Sequence, residues 1–375
     1  MTATKKYYDA HLIDRFAGKS VLVTGGFGFI GSQLASRLVQ YQAKVTVLDI
    51  DTARERLSLI NDERLALRDS IEIIEGSVAD FEFVKTVFSE RRYDFVFNLA
   101  AYASTVEKAV EEPLATYAAN AFGVVALLEA IRATSNVPEM FFHASTDKVY
   151  GELSGEAYDE NDPLAAEGLY DITKMTADVI ARSYDTIFKI PTVVLRMCNI
   201  FGPYDLNIGS RLLPKSMYAM FGQQNPSAPT LYSSSQSHSR DYLYIDDLVY
   251  IILLLTANPA CRGSAFNAAS CTHKTTPEML LALFESALAE ALKFDPERAA
   301  EIKRNGIQQQ EARKSDQVLT ITRQHLKSER LQGAIAFTPM VSLEQGLQKT
   351  ARFYREYFER ARPGALETSA AEAIA

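Results

Sequence analysis

The chain has 375 residues, 47% hydrophobic and 23% charged, enough for one large α/β domain with a smaller one appended. A net charge of −8 argues against a broad nucleic-acid surface, so no nucleic-acid partner is expected. Cys198, Cys261 and Cys271, with five scattered histidines, give neither a metal-ligand spacing nor a disulfide framework; no metal is expected, and a reducing compartment fits them.

Residues 1–17 read as an N-terminal extension with a short helix over 7–16. Met1 to Arg15 is polar and mixed in charge, which gives no secretory signal, and the cytoplasm is the expected location. The longest apolar run, 248–255, is far short of a membrane span, so no membrane partner is expected. Short apolar runs at 20–24, 44–49, 71–74, 95–99, 140–144 and 192–196 read as strands. Between them, helical spacing marks 32–41, 81–90, 113–134 and 164–187. That alternation predicts an α/β fold, a Rossmann-type doubly wound parallel sheet. After Asn199 the texture changes, with a Phe201-Gly202-Pro203 break and a Ser-rich loop over 232–239. A strand follows near 241–245, then helices near 248, 277–292 and 295–304. The expected division is a dinucleotide-binding domain over 18–200, with 241–268 contributing, and an interleaved C-terminal substrate domain over 201–240 and 269–362. Residues 363–375 read as a disordered tail.

The segment Thr24-Gly25-Gly26-Phe27-Gly28-Phe29-Ile30-Gly31 follows a strand and opens a helix, the context that gives a glycine pattern meaning. Gly25, Gly28 and Gly31 permit a tight turn and close approach to a pyrophosphate, and the helix start at Phe29 and Ile30 offers N–H groups to it. Asp49 closes the second strand and suits two ribose hydroxyls, favouring NAD over NADP. Arg54 and Arg56 beyond it are expected to be solvated.

Tyr170 and Lys174 stand four apart and share one face of a helix. A tyrosine beside a lysine and a cationic cofactor can ionise below its ordinary pKa of ~10 and act as a base. Thr146, Asp147 and Lys148, at the end of the fifth strand, add a hydroxyl, a carboxylate and an amine that redox chemistry alone does not need. His143 reads as a packed core histidine.

These motifs resemble the extended short-chain dehydrogenase/reductases that act on nucleotide sugars. Asn98-Leu99-Ala100-Ala101, Arg196-x-x-Asn199-x-x-Gly202-Pro203 and Arg240 to Asp247 carry the resemblance as well, and it runs from about residue 19 to about residue 358. It implies NAD as cofactor, held additionally by Ser77, Val78, Leu99, Ala100, Ala101 and Asn120, with Ser77 standing where the family usually has Asp. It implies that Tyr170 takes the proton of the sugar C4 hydroxyl, that Lys174 lowers the Tyr170 pKa, and that Thr146 binds the same hydroxyl. Asn199, Arg211 and Arg240 fall where the family binds the substrate diphosphate, and the family forms homodimers through the helices over 113–134 and 164–187. Within the family, Asp147-Lys148 resembles the hexose 4,6-dehydratases, with Asp147 the acid for the departing C6 hydroxyl. A neutral Lys148 base would have to lose about 3 units from ~10.4, roughly 4 kcal/mol; otherwise it stays cationic and another group is the base. The plainer alternative is an ion pair of Asp147 with Lys148 or a neighbour. The rival functions are an NAD-dependent C4-epimerase, which needs no Asp147, and a non-catalytic NAD-binding scaffold.

Overall fold

A computed structural model describes residues 3–102, 106–222, 225–270, 272–311 and 321–360. The expected tail over 363–375 and Cys271 lie outside the described residues. The chain opens with α1 (Ala3–Phe16), then β1 (Ser20–Thr24), α2 (Phe29–Gln40), β2 (Lys44–Asp49), β3 (Glu72–Glu75), α3 (Phe81–Glu90) and β4 (Phe95–Asn98). Next come α4 (Val106–Glu111), α5 (Pro113–Tyr117), α6 (Gly123–Thr134), β5 (Met140–Thr146), α7 (Leu169–Phe188) and β6 (Thr192–Met197). The later part adds β7 (Asn199–Phe201), α8 (Leu212–Met217), β8 (Thr230–Tyr232), β9 (Ser239–Tyr244), α9 (Ile245–Ala257) and β10 (Ala265–Ala268). It closes with β11 (His273–Thr275), α10 (Thr276–Phe294), α11 (Pro296–Asn305), β12 (Gln308–Gln310), β13 (Arg323–Gln324), α12 (Glu329–Ile335) and α13 (Leu343–Arg360).

Seven strands form a parallel sheet in the order β10-β6-β5-β4-β1-β2-β3, one more than the six strands read from the sequence. The addition, β10, lies in the late segment expected to contribute to this domain. Its core-facing runs, such as Val21 to Val23 and Phe95 to Phe97, are fully buried, as strands covered by helices on both faces must be. Strand order reverses between β1 and β4, which opens a crevice at their carboxyl ends.

Three expectations change in detail. The first helix is no loose extension: Tyr8, Leu12 and Phe16 are buried in the main core, and the Phe16 ring lies 4.9 Å from that of Phe95. The single helix expected over 113–134 is interrupted by a π-helical turn at Ala118–Phe122, a common device at functional sites. The helix expected from 164 starts at Leu169, behind an extended Gly168. By length and composition alone, Pro113–Thr134 is apolar enough to cross a membrane, but 56% of that window is buried within the protein.

The smaller part is built on β9, which pairs with β7, β11 and β13. Arg323 and Gln324 thereby come alongside Ser239 and Arg240, next to the carboxyl end of β5.

Candidate active site

At the crevice, Gly25 adopts φ +68°, and a Cβ there would stand 2.7 Å from the Ala100 amide nitrogen. A side chain would therefore close the gap between the glycine turn and the Leu99–Ala101 segment. Leu99 N donates to Thr24 O at 3.1 Å, and Thr24 Oγ1 donates to Asn98 Oδ1 at 2.7 Å, which ties the two strand ends together. Asp49 is buried at the end of β2, where its Oδ2 accepts from Phe27 N at 2.9 Å. Arg56 departs from expectation: its Nη1 donates to Asp49 Oδ1 at 2.8 Å, and its guanidinium lies over the Phe27 ring, so it is paired rather than solvated. Ser77 Oγ accepts from Ala79 N at 3.2 Å, and Val78 is buried. A glycine cradle, a helix start at Phe29 and Ile30 and a buried carboxylate fit a dinucleotide.

On α7, Tyr170 and Lys174 stand on one face as their spacing requires. Lys174 is 4% exposed and donates to the Ala144 carbonyl. Burial pulls its pKa down to about 8, against an opposing pull from Asp178. Tyr170 is pushed up to about 12, first by burial and then by Asp171, with Arg211 acting the other way. Lys174 is not among the groups that shift Tyr170, because its Nζ faces the Ala144 carbonyl. Asn120, in the π turn, donates to Thr173 Oγ1 at 3.0 Å and accepts from Tyr102 N at 2.7 Å, which fixes α7 beside the crevice. His143 is buried with its Nδ1 3.2 Å from Asn98 Nδ2, and burial takes its pKa down to about 3.

Asp147 begins the turn after β5 and is 4% exposed. Its Oδ1 accepts from Thr146 Oγ1 at 3.0 Å and from Gln324 Nε2 at 3.3 Å, while its Oδ2 has no hydrogen-bond partner. Burial raises its pKa to about 6, held down in part by Arg240, Lys148 and Thr146. Lys148 is 31% exposed, with Nζ 5.6 Å from the centre of the Tyr170 ring. Its ion pair is with Asp171 Oδ1 at 3.9 Å rather than with Asp147.

Of the three residues expected at a diphosphate, Arg211 acts on Tyr170 and Arg240 on Asp147. Arg211 pairs with Asp205 Oδ2 at 2.9 Å, and its guanidinium centre stands 5.9 Å from that of the Phe29 ring. Arg240 Nη1 donates to Thr322 O at 2.7 Å, and Nη2 donates to Ile321 O. Asn199 is half-buried on β7. Behind them, Arg196 is 1% exposed and donates to both Asp178 oxygens at 2.9 and 3.1 Å and to Tyr150 OH at 2.7 Å. Ser145 Oγ completes the cluster at 3.0 Å from Asp178 Oδ2.

Sequence reading missed Gln324 and Asp171. Gln324 carries no local signal, because it reaches Asp147 across 177 residues. Asp171 had one: a carboxylate directly after the motif tyrosine, with a lysine at 148 available to face it.

A parallel sheet with a glycine cradle at its switch point and a Tyr–Lys pair on the adjoining helix defines the dinucleotide-binding class of α/β proteins. The chain belongs to the GDP-mannose 4,6 dehydratase family, whose model matches residues 22–350. It is 28% identical over 347 residues to the dTDP-D-glucose 4,6-dehydratase of Bos taurus, covering 92% of this chain and 91% of that one. It is 27% identical over 358 residues to the dTDP-glucose 4,6-dehydratase of Neisseria gonorrhoeae, covering 90% and 95%. Among solved structures, an epimerase from Methanothermobacter thermautotrophicus aligns with TM-score 0.76 at 25% identity, over 94% of this chain and 96% of that one. The dTDP-glucose 4,6-dehydratase of Streptomyces venezuelae, solved with NAD, aligns with TM-score 0.76 at 23% identity over 92% and 99%, a likeness of fold.

Proposed function

We propose that the chain is an NAD-dependent 4,6-dehydratase of a nucleoside-diphosphate hexose, converting it to the 4-keto-6-deoxy sugar and water. The family and the two dehydratase relatives support the class. The observation that carries the dehydratase reading is Asp147: a buried carboxyl with one oxygen held by two donors and the other unpartnered, its pKa near 6. Such a group retains a share of its proton near neutrality and has an open oxygen from which to donate it to a departing C6 hydroxyl.

Bound NAD would supply the hydride acceptor for C4 and the hydride donor for C6, with none consumed. Gly25, Gly28, Phe29, Ile30, Gly31, Asp49, Ser77, Val78, Leu99, Ala100, Ala101 and Asn120 would hold it. Tyr170 takes the C4 hydroxyl proton, with Thr146 orienting that hydroxyl. Lys174, on the same face of α7, would favour the Tyr170 phenolate through its positive charge and would hold the nicotinamide ribose. Asn199, Arg211 and Arg240 bind the diphosphate, with Arg matching phosphate geometry. The 18–200 part with 241–268 serves as the cofactor half, and 201–240 with 269–362 as the substrate half.

Incubation with NAD and CDP-, dTDP-, UDP- or GDP-glucose, read by product mass and NMR, tests this: loss of one water from at least one substrate is expected. A product of unchanged mass inverted at C4 would replace it with the C4-epimerase reading, which the likeness to the Methanothermobacter epimerase favours and which leaves Asp147 idle.

A homodimer through α5, α6 and α7 belongs to the same proposal. Leu114, Tyr117, Val179 and Ile187 on these helices, with Phe122 in the turn between α5 and α6, are exposed apolar side chains, and such surfaces often mark interfaces. Light scattering should give twice the chain mass, and a monomer would remove the assignment. The cytoplasm remains the proposed location, consistent with the free, buried Cys198 and Cys261.

A further inference from the structure

Among the described residues, two buried carboxylate oxygens have no hydrogen-bond partner: Asp147 Oδ2 and Asp171 Oδ1. They belong to different elements, the turn after β5 and the first turn of α7. Both act on Tyr170, and Lys148 acts on both. Asp171 is 3% exposed, and its nearest charged neighbour is Lys148 Nζ at 3.9 Å, an amine that lies over the Tyr170 ring. A carboxylate in the first turn of α7 suits the helix dipole, but that does not account for an Oδ1 buried with no hydrogen-bond partner, which calls for another explanation.

We propose that Asp171 is the base that removes the C5 proton, with the Lys148 side chain beside it placed to stabilise the enolate. This inference rests on the dehydratase reading and supplies the base which that reading leaves unassigned. The two carboxyls then divide the elimination by position. Tyr170 works at O4, Asp171 at C5 and Asp147 at C6. The C5–H bond breaks and its proton passes to the Asp171 carboxylate. The C5 electron pair becomes the C5=C6 bond as the C6–O bond breaks, and the hydroxide leaves as water with the proton of Asp147. After reduction at C6, Asp171 returns a proton to C5. The proton that Tyr170 took from O4 balances the one Asp147 gave up, so the cycle loses one water and nothing else. Burial raises the pKa of Asp171, with the Lys148 charge acting the other way, so its carboxylate is a stronger base than an exposed aspartate. The ion pair of Lys148 with Asp171 is long at 3.9 Å, so Oδ1 keeps a lone pair open to the C5 proton.

The experiment compares Asp171→Asn, Asp171→Glu, Lys148→Arg and the unchanged protein with NAD and the four nucleoside-diphosphate glucoses in deuterated water. C5 deuterium, C4 oxidation and water loss are read separately, alongside thermal unfolding. Asp171→Asn should lose C5 exchange and water loss by about 100-fold or more while still oxidising C4. Asp171→Glu should recover part of the exchange, and Lys148→Arg should keep it within about 10-fold because only charge is needed. Full C5 exchange in Asp171→Asn, or its abolition in Lys148→Arg with Asp171 intact, overturns the assignment and returns the base to Lys148. Loss of C4 oxidation together with a collapsed melting temperature in both Asp171 variants makes the residue structural and overturns it too. If the unchanged protein eliminates water but Asp171→Asn does as well, the base alone is wrong. If the unchanged protein never exchanges C5, the dehydratase reading falls and takes the base with it.

Discussion

The two walls of the site are held in different ways. On the wall made by β5, its following turn and α7, polar groups are locked by buried, reciprocally paired side chains: Arg196 with Asp178, Ser145 with Asp178, Thr24 with Asn98 and Asn120 with Thr173. On the wall made by β9 and β13, the charged groups lean on backbone. Arg240 serves the Ile321 and Thr322 carbonyls, Glu152 accepts from Thr322 N and Arg323 N, and Arg323 donates to Gly155 O. Buried, mutually paired side chains fix geometry, whereas charged groups resting on loop carbonyls re-pair at little cost. Among the described residues of the first wall, the carboxylate oxygens left open are the two proposed to act, Asp147 Oδ2 and Asp171 Oδ1. On the proposed function, the first wall should set the rate and the stability, and the second should adjust to the substrate. The two meet at one contact between β5's turn and β13, Gln324 to Asp147.

The largest effect should come from the first wall. Tyr170→Phe removes the proton acceptor while leaving the ring that Lys148 covers, so turnover should fall by about 10²–10⁴-fold with the melting temperature little changed. Steady-state rates and thermal unfolding check this together, and normal turnover would take Tyr170 out of the mechanism. Next comes the buried pair behind it. Arg196→Met leaves Asp178 with only its contact to Arg182 and to Ser145, and should cost about 3–5 kcal/mol in denaturant unfolding, the range for breaking a buried ion pair. A loss below ~1 kcal/mol would mean that the first wall is no stiffer than the second.

The same contrast explains what could be read from the sequence. The glycine turn, Asp49 and the Tyr170–Lys174 spacing are local: each depends on residues within one strand–turn–helix unit, and their geometry follows from periodicity and backbone freedom. Most strand positions of the sheet were legible for the same reason, down to matching bounds for β1 and β2. The second wall is assembled from segments remote in sequence, with β13 brought to β9 from more than eighty residues away, and no periodicity announces such a pairing. Arg56 illustrates a third kind of miss. Its partner Asp49 is only seven residues away, but the loop that folds it back over Phe27 has no regular pattern.

A smaller effect of opposite sign belongs to Asp147. Burial lifts its folded-state pKa to about 6, above the ~3.9 of an unfolded chain. Below pH ~4 the carboxyl is protonated in both states and costs nothing. Between ~4 and ~6 the folded state holds the proton that the unfolded state has released, so stability falls as pH rises. Above ~6 the penalty is complete, about 2 units or roughly 3 kcal/mol. Asp147→Asn should therefore stabilise the chain by up to ~3 kcal/mol at pH 7 and by almost nothing at pH 4, while water elimination is crippled. Unfolding at the two pH values decides it: an equal effect at both would mean that the Asp147 carboxylate carries no such burden.

The smallest effect should fall on the contact that joins the walls. Gln324 is 2% exposed and gives Asp147 Oδ1 one of its two donors, at 3.3 Å. Gln324→Leu keeps much of the side chain's volume, removes that donor and leaves Thr146 Oγ1 alone on the oxygen. A hydrogen bond to the ionised form favours it, so its loss should raise the Asp147 pKa further and move the high-pH limb of the elimination rate upward. Turnover should change by only about 2–10-fold, the equivalent of one modest hydrogen bond, with KM almost unmoved. A larger KM change with a fixed pH profile would place Gln324 with the adaptable wall, as a group that meets substrate. A displaced limb at constant KM assigns it to the rigid one, as the point where a residue remote in sequence sets the proton on Asp147.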